Sequence, residues 1–252
     1  SYLPAFQGTM QNYYMADMQT AGFYDTKNHS SINAAIDAWA KEHTNGQIKT
    51  LPIDLNILTR LVSVSANYFD TKWASPFDPA VTKQQPFYNA KGQSANVMTM
   101  SQTLAANYYT DDVQQMVELP YGQGYFSMIV AMPKQPEQLD SLIQHADWWR
   151  WHEQMTYGRA EVMLPRFAIS SSQTDVASML SSLNMANVNK ATYPYIATGK
   201  PLELSTIIHS VSIKVDENGT KAASAAVGKM DDLLATYTQT LAFDHPFFFA
   251  VR

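Results

Sequence analysis

The 252 residues include no cysteine. That excludes disulfide frameworks, thiol nucleophiles and cysteine-ligated metals together. It leaves the redox compartment open, because a large core can stand in an oxidising space without disulfides. Charge is also scarce: 15% of residues are Asp, Glu, Lys or Arg, where about 25% is usual. The net charge is −5 and no run of Lys or Arg stands out, which argues against nucleic acid and anionic membrane as partners. No apolar stretch approaches the roughly eighteen residues of a bilayer-crossing helix. Internal repeats and low-complexity linkers are missing as well, so one domain over residues 1–252 is expected.

Catalytic signatures are equally sparse. The six histidines are scattered, and His152-Glu153 lacks the second His at i+4 that a helical zinc site needs. There is no Gly-x-Ser-x-Gly elbow, phosphate loop or dinucleotide glycine pattern. Each His reads best as a packed or solvated residue. No metal and no cofactor are expected, and no motif supports an enzyme.

What is present is a mixture of helical and strand patterns. Ser30-Ser31-Ile32 opens a helix, with Ile32, Ile36, Trp39 and His43 on one face and Asn45-Gly46 as its stop. Residues 61–69 read as a strand, and residues 70–79 as turn-rich. Residues 113–119 and 125–132 read as strands joined around Gly122-Gln123-Gly124. Residues 139–152 read as one helix, and 160–169 as a strand interrupted by Pro165. Residues 175–183 read as a short helix. Over residues 207–215 Val211, Ile213 and Val215 alternate with Ser210, Ser212 and Lys214. Separate helices with mostly antiparallel strands make the class α+β. Ser1 follows no initiator Met or leader, and the chain stops straight after the strand-like Phe247-Phe248-Phe249-Ala250-Val251. Both ends therefore read as cut.

One segment resists an ordinary reading. Asn218-Gly219 signals a type I′ hairpin turn after a good strand, yet the partner strand, residues 220–227, would be mostly Ala and Ser. Such residues pack weakly across strands. A short Ala-rich helix is the other reading, weakened by a missing cap and by Gly228.

The run His209-Ser210-Val211-Ser212-Ile213-Lys214-Val215-Asp216-Glu217-Asn218-Gly219-Thr220-Lys221-Ala222-Ala223-Ser224-Ala225 resembles the serpin segment that joins the fifth strand of the main sheet to the reactive loop. Further blocks resemble the same family in order. They are Ser65-Ala66-Asn67-Tyr68-Phe69-Asp70-Thr71-Lys72-Trp73 with Pro76-Phe77-Asp78-Pro79, then Thr82-Lys83 with Pro86-Phe87-Tyr88. Glu118-Leu119-Pro120-Tyr121, Met163-Leu164-Pro165-Arg166-Phe167 and Asp244-His245-Pro246-Phe247-Phe248-Phe249 follow. Ile32-Asn33 through Ile48 resembles the helix over that sheet. Ser65 stands where the family usually has Asn, and Asp70-Thr71 where it usually has Lys-Gly.

The resemblance implies a serpin fold: a large, mostly antiparallel sheet overlaid by helices, smaller sheets, and an exposed reactive loop at about residues 217–240. The domain would be incomplete at both ends. It implies a suicide inhibitor of serine, and secondarily cysteine, endopeptidases, with a non-inhibitory carrier or chaperone as the alternative. The hinge would comprise Glu217, Gly219, Thr220, Ala222, Ala223, Ser224 and Ala225. Positions 220, 222, 224 and 226 would share one face as Thr, Ala, Ser and Ala. Side chains that small avoid an overpacking cost of roughly 1–3 kcal/mol each. Trp73 and Arg166 would flank the point of entry, with Arg166 pairing with Glu217. Ser65 and His209 would meet under the sheet. Family spacing from Gly219 puts the reactive bond at Leu233-Leu234, whereas counting back from His245-Pro246 gives Asp232 or a neighbour. Lys229 and Met230 lie in the same loop. A leucine bait suits a target endopeptidase with an apolar primary pocket. The family further implies a monomer with a risk of polymerisation, acting outside the cell or at its surface.

Overall fold

The computed structural model describes residues 3–51, 53–65, 69–173, 192–196, 202–203, 209–220 and 238–252. These divide into two compact units, one from residues 1–68 and 169–212 and the other from residues 69–168 and 213–252.

In the first unit, α1 (Pro4–Tyr14) starts on a proline and α2 spans His29–His43. The stop expected at Asn45-Gly46 is real: both residues have positive φ, 49° and 75°, the left-handed ending that closes a helix. Two short strands, residues Thr192–Tyr193 and Leu202–Glu203, pair antiparallel. The strand expected over residues 61–69 does not form over residues 61–65, which are irregular. An apolar, β-branched run becomes a strand only where a neighbour takes up its N–H and C=O groups, and the described residues give this stretch no ladder partner. The expected helix at 175–183 lies outside the described residues.

The second unit holds the main core. In chain order its strands are β1 (Thr71–Lys72), β2 (Lys83–Tyr88), β3 (Ser94–Thr110), β4 (Gln114–Tyr121), β5 (Phe126–Pro133) and β6 (Thr156–Pro165). Strand β7 (Phe167–Gln173) follows. With the two short strands above as β8 and β9, the remainder are β10 (His209–Asp216), β11 (Gly219–Thr220), β12 (Gln239–Ala242) and β13 (Phe248–Val251). β7 and β10 each start in one unit and end in the other. The larger sheet runs β12-β6-β3-β4-β5-β13, with β2 added along β3; the smaller runs β1-β11-β10-β7.

β4 and β5 are buried along nearly their whole lengths, because both faces of this sheet are covered. Side chains alternate between two cores. Val117, Leu119, Tyr121, Met128, Val130 and Met132 enter one, with Leu164, Leu241 and Phe243. Met116, Ile129 and Ala131 enter the other, against Trp151. Trp151 comes from α4 (Trp148–Gln154), which follows α3 (Leu139–Gln144). These are two helices where the sequence suggests one. Asp147 breaks the run, because its carboxylate accepts from the Arg150 N–H at 3.2 Å and caps a new start.

Candidate functional site

The turn between β10 and β11 draws together the three described hinge residues, Glu217, Gly219 and Thr220. The chain leaves β10 at Asp216, turns over Glu217 and Asn218, and returns as β11. Thr220 pairs with Val215 and Gly219 with Asp216. On its other edge β11 pairs with β1, Thr220 opposite Thr71 and Gly219 opposite Lys72. Gly219 and Thr220 thus lie between β1 and β10, antiparallel to both. This corrects the turn reading. A type I′ turn on Asn218-Gly219 needs positive φ at both residues, and of the two only Gly219 has it, at 141°. The turn residues are Glu217 and Asn218, and Gly219 already belongs to the strand.

Gly219 is required by contact as well as by conformation. A Cβ there would lie 2.3 Å from the Thr71 carbonyl oxygen, 2.7 Å from Lys72 Cα and 2.8 Å from the Trp73 nitrogen. All three are backbone atoms, which cannot swing aside as a flexible side chain can.

Trp73 holds the turn from outside. Its backbone N–H donates to the Asn218 carbonyl at 2.9 Å, and its indole N–H donates to the Asp216 carbonyl at 2.9 Å. Phe77 N–H donates to the Glu217 carbonyl at 2.9 Å. The indole stacks flat on Tyr121, with ring centroids 4.4 Å apart and planes 8° from parallel. The end of β1 is tied to the end of β4 by two bonds of 2.8 Å, Ala74 N–H to the Pro120 carbonyl and Gly122 N–H to that of Lys72.

Glu217, 4% exposed, accepts from the Thr82 hydroxyl at 2.6 Å and from Arg166 Nε at 2.6 Å. A terminal guanidinium nitrogen of Arg166 pairs with the same carboxylate. Burial by itself would raise the Glu217 pKa. The hydrogen bonds from Thr82 and Arg166, with the guanidinium charge, outweigh it and hold the pKa below its usual value. Arg166 stands in the one-residue gap between β6 and β7, where its N–H donates to the Met98 carbonyl at 2.8 Å. The Glu217–Arg166 contact implied by the family resemblance is thus present, beside Trp73.

Thr220 is 2% exposed, and its hydroxyl lies 2.8 Å from that of Tyr121, itself 2% exposed. Burial pushes the Tyr121 phenol up to about 12 despite that bond, so it stays protonated at any physiological pH.

Among the other expected site residues, Ser65 is exposed in an irregular stretch. His209 opens β10, but its side chain is outside the described residues. So are Ala222, Ala223, Ser224, Ala225, Leu233 and Leu234. Tyr121 and Thr82 went unassigned in the sequence, although both stand in recognisable blocks. Nothing in a linear pattern shows that they face the hinge 99 and 135 residues away. Among the described residues, no group of three or more His, Asp or Glu could hold a metal ion, and no helix is long and apolar enough to cross a membrane.

A family model described as serpin (serine protease inhibitor) matches residues 1–252. Serpin B6 of Macaca fascicularis is 30% identical over 263 residues, which cover 100% of this chain and 69% of that protein. Leukocyte elastase inhibitor of Bos taurus is 30% identical over 267 residues, 100% of this chain and 70% of that one. Among solved structures, native protease nexin-1 with heparin superposes with a TM-score of 0.84 at 28% identity, covering 100% of this chain and 69% of that chain. Thyroxine-binding globulin in complex with thyroxine gives 0.84 at 21% identity, covering 100% and 67%, a likeness of fold.

Proposed function

This chain belongs to the serpin family and has its α+β fold, and from that premise we propose that it is a suicide inhibitor of serine endopeptidases. Cysteine endopeptidases are the secondary class. The protease attacks the loop and forms an acyl-enzyme. The cleaved loop then enters the smaller sheet from Thr220 onward, carrying the enzyme with it and distorting its active site. The driving force is the strain of a sheet that lacks its central strand.

One observation carries this reading: Gly219 and Thr220 pair with β1 on one side and β10 on the other. Those are the ladders that an inserting strand would extend. The pocket at Thr220 accepts a small side chain without exposing it. A non-inhibitory carrier or chaperone would tolerate bulky or charged hinge residues. The Thr-Lys-Ala-Ala-Ser-Ala sequence from residue 220 favours the inhibitor.

We take Leu233-Leu234 as the reactive bond. Each inserted residue adds about 3.3 Å of strand, so a bait nearer Gly219 would stop the enzyme short. A leucine suits an apolar primary pocket, and Asp232 before it disfavours acidic ones. The absence of repeats and low-complexity linkers supports a single domain, and the family supports a monomer with a tendency to loop-sheet polymers and an extracellular or cell-surface setting.

The test mixes the full-length protein with serine endopeptidases of chymotrypsin-like, elastase-like, subtilisin-like and trypsin-like specificity. Covalent complexes that survive SDS are expected with the first three, with a released C-terminal peptide beginning at Leu234. Cleavage by every protease with no trapped complex overturns the inhibitory reading. A peptide beginning at Met230 moves the bait to Lys229 and the target to a trypsin-like enzyme.

A further inference from the structure

Small size explains why a side chain at position 220 can be buried, but not why it should carry a hydroxyl. Val, with the same branched shape, would fill the same space. What distinguishes Thr is the 2.8 Å contact between its Oγ1 and the Tyr121 hydroxyl.

Tyr121 is held rigidly. Its ring lies flat on Trp73 and meets Phe69 edge-on, with centroids 5.1 Å apart. Its backbone at the end of β4 is bridged to Trp73. Only 2% of it is exposed, and burial keeps the phenol protonated. Such a phenol cannot turn to water for a partner. Here Thr220 sits between β1 and β10, and the two hydroxyls satisfy each other. An aliphatic residue would instead seal the phenol in without a partner, and a buried hydroxyl without a hydrogen bond is costly.

We propose that Tyr121 is a positioning residue for loop insertion. Its hydroxyl selects a hydroxyl side chain at position 220 and so fixes the register in which the loop enters between β1 and β10. A loop displaced by one residue would bring Gly219 or Lys221 to the phenol, neither with a hydroxyl, and would turn the small-side-chain face away from the core. The bond therefore discriminates the correct register at the first inserted residue, before the rest of the loop commits. This inference rests on the inhibitory reading above.

The experiment compares Thr220→Val, Thr220→Ser, Tyr121→Phe and the double variant Thr220→Val/Tyr121→Phe in the full-length protein. Two quantities are read: the ratio of cleaved to trapped inhibitor, and the melting temperature of the loop-cleaved protein. For Thr220→Val the ratio is expected to rise on the order of fivefold, the effect of one orphaned buried hydroxyl, and the cleaved form to melt lower. Thr220→Ser should stay close to the parent. The double variant should recover most of the loss, because removing both hydroxyls leaves neither unpaired. Thr220→Val behaving as the parent, or a double variant whose losses simply add, would overturn the proposal. If the parent is cleaved but never trapped, the inhibitory reading fails by itself. The melting temperatures of the cleaved proteins then still decide whether the two hydroxyls act as a pair.

Discussion

Two buried carboxylates in the second unit have nearly the same chemistry and opposite mechanical settings. Glu118 and Glu217 are 6% and 4% exposed. Each is paired with an arginine that reaches solvent, and each has its pKa held below the usual value because hydrogen bonds and a guanidinium charge outweigh burial. Glu118 accepts from Asn107 on β3, Ser127 on β5 and Arg252 beyond β13. Those strands are already paired with one another or with β4, so the carboxylate staples a finished sheet. Glu217 instead lies in the two-residue turn where β10 becomes β11, bound by Thr82 and Arg166. It holds the base of a strand with only two residues described in the ladder. A buried ion pair alone therefore says little about role. What matters is whether the backbone it fixes has anywhere left to move.

The sharpest way to break the comparison is at Gly219, which the Glu118 cluster has no counterpart for. Gly219→Ala adds a Cβ against three backbone atoms, in a region of φ that costs a non-glycine residue about 1–3 kcal/mol before any overlap. The variant should fold, be cleaved by the target protease and lose nearly all trapping. Covalent complexes at the parent's stoichiometry would show that β11 does not need to form.

The next effect contrasts the carboxylates directly. Glu217→Lys sets two cations together and frees the turn, so loop-sheet polymers should appear on mild heating. Glu118→Gln should lower stability by about 1–2 kcal/mol, discounted because Arg252 reaches solvent, and should leave the protein monomeric. Native gels after heating, with urea unfolding curves, check both. Polymers from Glu118→Gln, or a Glu217→Lys variant that stays monomeric as long as the parent, would erase the distinction.

The smallest effect is on pH. Both folded-state pKa values are depressed, so the stability each carboxylate contributes is full above its unfolded value, 4.5. It is lost as pH falls through the lower folded value. Melting temperature should therefore change little from these groups between pH 7 and 5 and fall steeply below 4.5. Glu118→Gln and Glu217→Gln should each flatten the acid limb. An unchanged acid limb in either variant would mean that its carboxylate titrates as it does in the unfolded chain.

The legible part of this protein was the part written in local patterns. Alternation over β10, the Gly122-Gln123-Gly124 hairpin between β4 and β5, and the Asn45-Gly46 helix stop are all visible in short windows. Strand β3 was not, although it is 17 residues long. Its many Ser, Asn, Gln and Ala residues dilute the strand signal, and it is held by ladders to β2, β4 and β6. Helix α1 has no buried residue, so it leaves no apolar stripe to read. At the hinge, the family pattern pointed to Glu217, Gly219, Thr220, Arg166 and Trp73, while residue types alone showed a turn at Asn218-Gly219 followed by small side chains. Tyr121 and Thr82 needed coordinates, since their role lies in which residues they face.

The central claim is that the loop beyond Thr220 becomes a strand of the smaller sheet when it is cut. Melting the full-length protein before and after a single cleavage in residues 229–236 tests it most directly. On that claim insertion would complete the sheet and release the strain, so the cleaved form should melt well above the intact one, and Gly219→Ala should abolish the gain. A cleaved parent that melts at or below the intact protein would contradict the account.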